Sequence, residues 1–540
     1  MSISLKTIWL VTREYAGIAE AGGVKNVACS LAEGLARAGL SVTVFMPRYG
    51  FSACEGERLF TAEIAIAGES YEVVFSALTI HGVTVILVDS PVFAEKHAVY
   101  VYTEAESLTI PGAQRGKGHF DVDVMNMLLQ RAVLAYASHT ATAPDVLHCQ
   151  DAHTAILPAL AKNDPDSAGL FSRTACVVTI HNAGAGYRQT IPGLTRAIHF
   201  TGLPPAVLER ALFNGNVEPF LLAADYATLT TVSPWYANEL TDSQFDHFSE
   251  GLSGEFQRRS IPVAGITNGI DYHRYDPRDI ACSLLPFSFD PSRGDLAGKY
   301  RCRSDFVEWL SSSTEIPGIT KFGTLTPGSD SVYFSYHGRI AWQKGLDVLE
   351  KAAHIVLDHL DGARFIILGQ GDPVLEAMFV RLSQRYSGRL AYVRGYERTL
   401  AREAVAISDF IVLPSLFEPC GLEDFIAQIF GTIPVAHAVG GLRKIETGKT
   451  GFLYETEGDS HDAAVLARLL LDLAEPIVDA SHAVGDGFAS SSFGAGCAAV
   501  PEYASMIRYA AETVQTLSNW DSIITDQYLP LYRKIQSGLA

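Results

Sequence analysis

The stretch Phe417-Glu418-Pro419-Cys420-Gly421-Leu422 follows directly on the apolar run Asp409-Phe410-Ile411-Val412-Leu413-Pro414-Ser415, so one acidic side chain stands where a buried strand ends and a helix begins. In open α/β sheets this is where ligands bind. A helix start offers backbone N–H groups without partners, and beside a carboxylate these suit a ligand with several hydroxyls to be held in place, as in a sugar. Arg339 and Lys344 flank the turn after a second apolar run, Val332 to Tyr336, near a helix beginning around Gly345. A forked guanidinium and a mobile ammonium placed together would neutralise the charge that grows on a departing nucleotide diphosphate, with no metal required. Isolated surface cations are more often simply solvated; the shared sheet edge with Glu418 is what favours the chemical reading.

Four further groups stand at ends of apolar runs. Gly22 and Gly23 lie between the first strand and its helix, where backbone without Cβ can approach a diphosphate. A tight turn accounts for the pair equally well, and the GxGxxG fingerprint is absent. His181-Asn182 ends the run Thr174 to Ile180, and Asn268-Gly269-Ile270-Asp271 follows Val263 to Ile266. An imidazole or amide there can hydrogen-bond a substrate, although a helix cap and an Asn-Gly turn are the plainer readings. His148, Asp151 and His153 cluster after Asp145 to His148, but no fourth ligand accompanies them and no metal is expected.

The elements that must position these residues follow from periodicity. Residues 7 to 12 read as a buried strand, residues 24 to 38 as a helix with Val24, Val27, Leu31 and Leu35 on one face, and residues 41 to 46 as the next strand. With the strands at 145–148, 174–180, 227–232 and 263–266, the first half reads as a parallel sheet covered by helices. After the polar stretch 311–318 the pattern restarts, with strands at 332–336, 365–368, 390–393, 410–413 and 433–436. The expected architecture is α/β, with two doubly wound domains, 1–285 and 286–518, and a terminal helix, 519–540. Residues 485–500 read as a loose loop, and Pro530 should kink or break the terminal helix.

Composition excludes several classes. At 540 residues the chain exceeds one ordinary core, and 48% hydrophobic residues supply two. A net charge of −19 argues against a general nucleic-acid or anionic-membrane surface. No apolar run reaches the roughly 18 residues of a membrane span, and the N-terminal run is too short for a signal-peptide core. The 8 cysteines show no CxxC pair, which points to reduced thiols and a cytoplasmic location.

Taken in order, the motifs resemble the bacterial glycogen synthase and plant starch synthase family, retaining glucosyltransferases with two facing Rossmann-like domains of GT-B type. The resemblance is carried by Gly22-Gly23-Val24, Met46-Pro47-Arg48-Tyr49-Gly50, Gln150-Asp151-Ala152-His153, Thr179-Ile180-His181-Asn182, Thr231 to Ala237, Asn268-Gly269-Ile270-Asp271, Gly338-Arg339 with Gln343 to Asp347, Gly369 to Pro373, Phe417 to Leu422 and Gly440-Gly441-Leu442. It implies transfer of glucose from a nucleotide sugar, usually ADP-glucose, to the end of an α-1,4-glucan, without cofactor, metal, nucleic acid or membrane. It also implies that Arg339 and Lys344 hold the diphosphate, and that Glu418 with the backbone at Cys420, Gly421 and Leu422 holds the glucosyl unit. His181 and Asn268 would face that unit too. Tyr396 would stack on the base, Gly22, Gly23, Gly440 and Gly441 would line the donor, and Asp151 and His153 would stand on the glucan side. The resemblance further implies an acceptor-side domain at 1–285, a nucleotide-sugar domain at 286–518 and a helix, 519–540, that crosses back to the first domain; no oligomeric state is implied.

The chain also departs from the family pattern. Glu20-Ala21 replaces a Lys-Thr before the glycine pair, and Glu423-Asp424 replaces a Thr-Gln after the glutamate motif. Asn26 and Ala152 replace an Asp and a Trp, and His437 and Ala438 replace paired basic residues. Added acid near the start of a phosphate-facing helix would weaken diphosphate binding unless Lys25 or another cation compensates. A different donor or a small acceptor, or a catalytically weak glucan- or nucleotide-binding protein, are therefore alternatives to a glucan synthase.

Overall fold

Alternating strand and helix periods build two large sheets in the computed structural model, which describes residues 5–328, 330–456, 463–483 and 496–538. The chain divides into unit 1, Met1–Gly269 with Trp520–Ala540, and unit 2, Ile270–Asn519. This division falls before the expected boundary at 285, because Ile270, Tyr272 and Leu285 are buried in the hydrophobic core of unit 2.

In unit 1 the strands are β1 (Thr7–Val11), β2 (Ser41–Pro47), β3 (Glu57–Ile66), β4 (Glu69–Ile80), β5 (Val83–Asp89), β6 (Val146–Gln150), β7 (Ala175–Ile180), the short β8 (Ile191–Pro192), β9 (Leu212–Phe213) and β10 (Asn216–Val217), then β11 (Thr228–Thr231) and β12 (Val263–Gly265). The main sheet runs β12-β11-β7-β6-β1-β2-β5-β4-β3, and β8, β10 and β9 form a small separate one. Helix α1 (Val24–Arg37) buries Val27, Leu31 and Leu35, the stripe its 3.6-residue period dictates. Helix α2 (Val122–Thr140) precedes β6. Strands β6 and β7 are buried along their whole length, as parallel strands covered on both faces must be.

The sheet is not wholly parallel, which corrects the sequence expectation. Strands β3 and β4, and β4 and β5, pair antiparallel through the two-residue turns Ala67-Gly68 and His81-Gly82. All four turn residues have positive φ, the requirement of a tight turn whose twist matches the strands. Much of β3 is exposed, so this edge lacks the continuous apolar runs that mark the covered strands.

The terminal segment belongs to unit 1. A short helix, Trp520–Ile523, widens into a π-helical turn, Ile524–Tyr528, before the helix Leu529–Ser537. The wide turn accommodates Pro530, whose ring would clash with the carbonyl four residues earlier in a regular helix. Gly34 of α1 permits close approach here: a Cβ on it would fall 2.2 Å from Ile524 Cδ1. Tyr532 lies fully buried with its hydroxyl 2.7 Å from His148 Nδ1 of β6.

Unit 2 contains α3 (Ala297–Ser311), β13 (Thr320–Phe322), β14 (Val332–His337), α4 (Leu346–His359), β15 (Ala363–Gly369), α5 (Pro373–Arg385), β16 (Leu390–Arg394), α6 (Arg398–Ala406), β17 (Phe410–Leu413), α7 (Glu423–Ile429), β18 (Ile433–His437), β19 (Phe452–Tyr454), α8 (Ala463–Ala483) and α9 (Pro501–Leu517). The sheet order is β13-β16-β15-β14-β17-β18-β19, parallel except for β13. Beneath it Arg303 of α3 pairs with Asp409 at 2.9 Å, both fully buried, and Asp409 also accepts the N–H groups of Tyr333 and Cys497. Of the expected loop at 485–500, residues 485–495 lie outside the described residues, and Gly496–Ala499 forms one 3-10 turn.

Candidate active site

In unit 2 the chain leaves β14 toward β15 and β16 on one side, and reaches β17, β18 and β19 on the other. The loops after β14 and β17 therefore diverge at a topological switch point, where open sheets leave a crevice. The first loop turns back through Trp342–Lys344 and ends at Gly345, with φ +63°. A Cβ on Gly345 would lie 2.0 Å from the Pro414 carbonyl oxygen, so only glycine lets the two loops lie this close. Gln343 fastens them: its carbonyl accepts from Leu416 N at 2.9 Å, and its amide donates to the Phe417 carbonyl at 3.2 Å.

This contact brings Lys344 Nζ onto Glu418 Oε2, which also accepts the Ser415 hydroxyl at 3.2 Å. Arg339 is exposed, and among the described residues its guanidinium enters no ion pair. Tyr396 is 64% exposed, a free ring face at the end of β16, stacked 6.5 Å from His337.

The loop carrying Glu418 is packed tightly on the next one. Gly441 N donates to the Glu418 carbonyl at 2.8 Å, and a Cβ on Gly441 would fall 2.2 Å from the Cys420 carbonyl oxygen. Gly421 and Gly440 have φ of +70° and +42°. Leu422 stands at the N-cap of α7.

The added acid of this region does not face outward as a pair. Glu423 is partly exposed and lies 3.2 Å from His337 Nδ1. Asp424 is fully buried, 2.9 Å from Lys444 Nζ. Burial holds the Asp424 carboxyl above its usual range, and the Lys444 charge opposes that shift. Sequence reasoning missed Lys444; the signal was the basic pair Arg443-Lys444 directly after Gly440-Gly441-Leu442. At the positions of the expected basic residues, His437 Nδ1 donates to the Ser415 carbonyl at 2.9 Å and Ala438 is buried.

Unit 1 has its own switch point between β1 and β6. After β1, the fully buried Glu14 accepts from Ala21 N at 2.8 Å, from Gly22 N at 2.5 Å and from the Tyr100 hydroxyl at 2.6 Å. The Gly22 N–H is thus engaged within the protein, while a Cβ on the exposed Gly23 would meet nothing within 4 Å. Glu20 accepts the Gly17 N–H at 2.8 Å and stands 3.8 Å from Lys25, which is the local compensating cation.

After β6, Asp151 adopts φ +65° and ψ 176°, a conformation that essentially only glycine adopts without strain. It is buried, and its Oδ1 has no partner among the described residues. Burial pushes its carboxyl up to about 7, opposed by the N–H groups of Ala152, His181 and Asn182. His181, at the end of β7, is held down to about 4 by burial and lies 2.7 Å from the Gln150 side-chain oxygen. It is therefore a neutral imidazole at pH 7. Asn268 is buried with Oδ1 unpaired among the described residues. His153 is buried beside Tyr100, its ring centroid 5.0 Å away, and burial keeps it neutral. His148 is not available to this group: Tyr532 and Thr179 hydroxyls occupy its ring nitrogens at 2.7 and 2.6 Å. Each unit thus gathers its candidate residues at its own switch point, Asp151, His153 and His181 with the glycine pair in unit 1, and Arg339, Lys344 and Glu418 in unit 2.

Comparison with known proteins gives two family matches, the starch synthase catalytic domain over residues 7–258 and glycosyl transferases group 1 over residues 331–474. A glycogen synthase of Aeromonas hydrophila is 30% identical over 453 residues, covering 82% of this chain and 84% of its own. A glycogen synthase of Koribacter versatilis is 30% identical over 428 residues, covering 78% and 80%. Among solved structures, the catalytic domain of starch synthase IV from Arabidopsis thaliana, bound to ADP and acarbose, matches with a TM-score of 0.76 at 23% identity over 99% of this chain and 100% of that one. A sucrose-phosphate synthase from Thermosynechococcus elongatus matches with a TM-score of 0.55 at 16% identity, over 99% and 100%. These structural matches speak for the fold.

Proposed function

The chain belongs to the glycogen synthase and starch synthase family of glucosyltransferases, and on that premise we propose how its residues carry out the reaction. It is a retaining hexosyltransferase of GT-B fold that moves glucose from a nucleotide sugar to the non-reducing 4-hydroxyl of an α-1,4-glucan. ADP-glucose is the proposed donor, supported by the ADP in the Arabidopsis structure. The observation that carries the reading is the Lys344–Glu418 pair at the unit 2 switch point, with Arg339 on the same loop as Lys344 and its guanidinium in no ion pair among the described residues.

Departure of a nucleoside diphosphate leaves an oxocarbenium-like sugar, so the site needs cations on the phosphates and dipoles around the ring. Arg339 and Lys344 supply the cations, and no metal or cofactor is called on. Glu418, engaged by Lys344 and Ser415, orients the glucosyl hydroxyls and stabilises charge, helped by the backbone at Cys420, Gly421 and Leu422 and the loop at Gly440 and Gly441. Tyr396 offers its exposed face to the base. His181 acts as a neutral hydrogen-bonding group toward the sugar, with Asn268 in the same role, and Gly22 and Gly23 belong to the donor loop. Asp151 and His153 serve the glucan side. The proposed compartment is the cytoplasm: all eight cysteines are free thiols, and no described helix is long and apolar enough to cross a membrane.

One observation favours a second reading, a donor other than ADP-glucose. Glu20 and Glu423 put carboxylates on the two loops assigned to the donor, which changes the charge any donor meets. The deciding experiment is nucleoside diphosphate release in the presence of glycogen, with ADP-glucose and UDP-glucose compared and Glu418→Ala as control. Release that needs both glycogen and Glu418 is expected. Full activity in Glu418→Ala overturns the site, and release with neither donor overturns the synthase reading.

A further inference from the structure

The ammonium of Lys444 donates to the carbonyl oxygens of Cys420 at 2.7 Å, Gly421 at 2.8 Å and Gly441 at 3.2 Å. Those acceptors account for all its protons, so Asp424, 2.9 Å away, meets it as a buried counter-ion. Both side chains are shielded, Lys444 at 7% exposure and Asp424 at 0%, and the Phe425 ring lies 4.6 Å from Nζ. In a trans peptide the N–H points opposite to the C=O of the same unit, and among the described residues no peptide bond is cis. Drawing the Cys420 and Gly421 carbonyls toward Lys444 therefore turns the Gly421 and Leu422 N–H groups the other way. Neither N–H is given to a protein acceptor among the described residues.

We propose that Lys444 is a positioning residue of the donor loop: held by Asp424, it fixes the Gly421 and Leu422 N–H groups in the direction of the donor's oxygen atoms. The inference rests on the function proposed above and adds a residue that touches no substrate. It also gives the Asp424 departure a purpose, because a lysine surrounded by carbonyls in a buried pocket needs a neighbouring anion. The Lys444–Asp424 couple works from behind the loop, and the Gly441 contact with Cys420 keeps the two loops in register.

The test compares the wild type with Lys444→Met, Lys444→Arg, and the double variant Lys444→Met with Asp424→Asn, measuring melting temperature and the KM for donor and for glycogen. Lys444→Met is expected to raise the donor KM at least tenfold with the glycogen KM within about twofold. Lys444→Arg keeps the charge but changes the directions of its hydrogen bonds, and is expected to raise the donor KM while holding the melting temperature. The double variant leaves no buried charge unpaired; it should recover melting temperature over Lys444→Met and keep the raised donor KM. A double variant with wild-type donor KM would show that Lys444 only neutralises Asp424 and would overturn the proposal, as would Lys444→Met with lowered melting temperature and unchanged donor KM. Calorimetric titration of all four proteins with ADP and UDP reads the same loop without turnover. If the wild type transfers no glucose, the function reading fails by itself, while equal nucleotide affinities in wild type and variants overturn the positioning role.

Discussion

Lys344 and Glu418, carried on the loops after the adjacent strands β14 and β17, form an ion pair whose carboxylate oxygen also accepts the Ser415 hydroxyl. Neither side chain is fully buried, so the pair is open to a ligand on one side. Lys344→Ala should lower kcat/KM for the donor by about a hundredfold or more, the usual cost of losing one pre-aligned electrostatic contact to developing charge. Diphosphate release at saturating glycogen measures this; a loss below about threefold would place Lys344 outside the reaction.

Gly441 is a tight point of the donor loops. A methyl group there meets Cys420 backbone rather than a side chain, and backbone cannot rotate away. Gly441→Ala should destabilise unit 2 by about 1–3 kcal/mol and raise the donor KM, because the strain is relieved only by moving the loop. Thermal melting together with donor kinetics checks both parts.

Buried ionisable groups in unit 1 give opposed pH signatures. Asp151, raised to about 7, keeps a proton in the folded state that the unfolded chain releases near 4, so its contribution to stability falls as pH rises from about 4 to about 7. His148 and His181, lowered to about 3 and about 4, act in the other direction: below about 6.5 the unfolded chain binds protons that they refuse. Asp151→Asn removes only the first effect. Its unfolding free energy relative to wild type should be higher at pH 8 than at pH 5, read from urea melts; the same difference at both values would contradict a raised Asp151.

Asp409 anchors the interior of unit 2 through Arg303, Tyr333 N and Cys497 N. Asp409→Ala leaves Arg303 charged and buried without its partner, and should cost about 3–5 kcal/mol in a chemical melt. A loss below about 1 kcal/mol would mean that water reaches the guanidinium.

Glu20→Lys breaks the contact with the Gly17 N–H and places a second cation beside Lys25. The donor KM is expected to change with the loop's charge, and the direction for ADP-glucose against UDP-glucose tells which donor the native loop favours. An unchanged KM with both donors would show that this loop stands away from the phosphates.

Much of this site was legible in the chain itself. Glu418 and the lysine at 344 announce themselves because each follows a short apolar run, whereas the reason for the glycines at 345, 421 and 441, loops too close together for a Cβ, shows only in the structure. The hairpins at Ala67-Gly68 and His81-Gly82 were harder to see, since an edge meander with one open face shows alternation rather than an apolar block. Which cation compensates Glu423-Asp424 is not written in that segment either. Whether a carboxylate at a helix start faces a ligand or the interior depends on a partner twenty residues away, and here Asp424 turns toward Lys444.

The amino-acid sequence by itself determined the alternation of strand and helix, the two-domain α/β class and the family motifs, because these rest on local periodicity and on residue types at strand ends. Only the tertiary structure decided which polar and charged groups are spent internally: Glu14 on the Gly22 amide, Asp424 on Lys444, Tyr532 on His148. Such pairings join residues whose separation along the chain follows no period, and a carboxylate or imidazole has its charge state and its role set by how deeply packing buries it and by what it meets there.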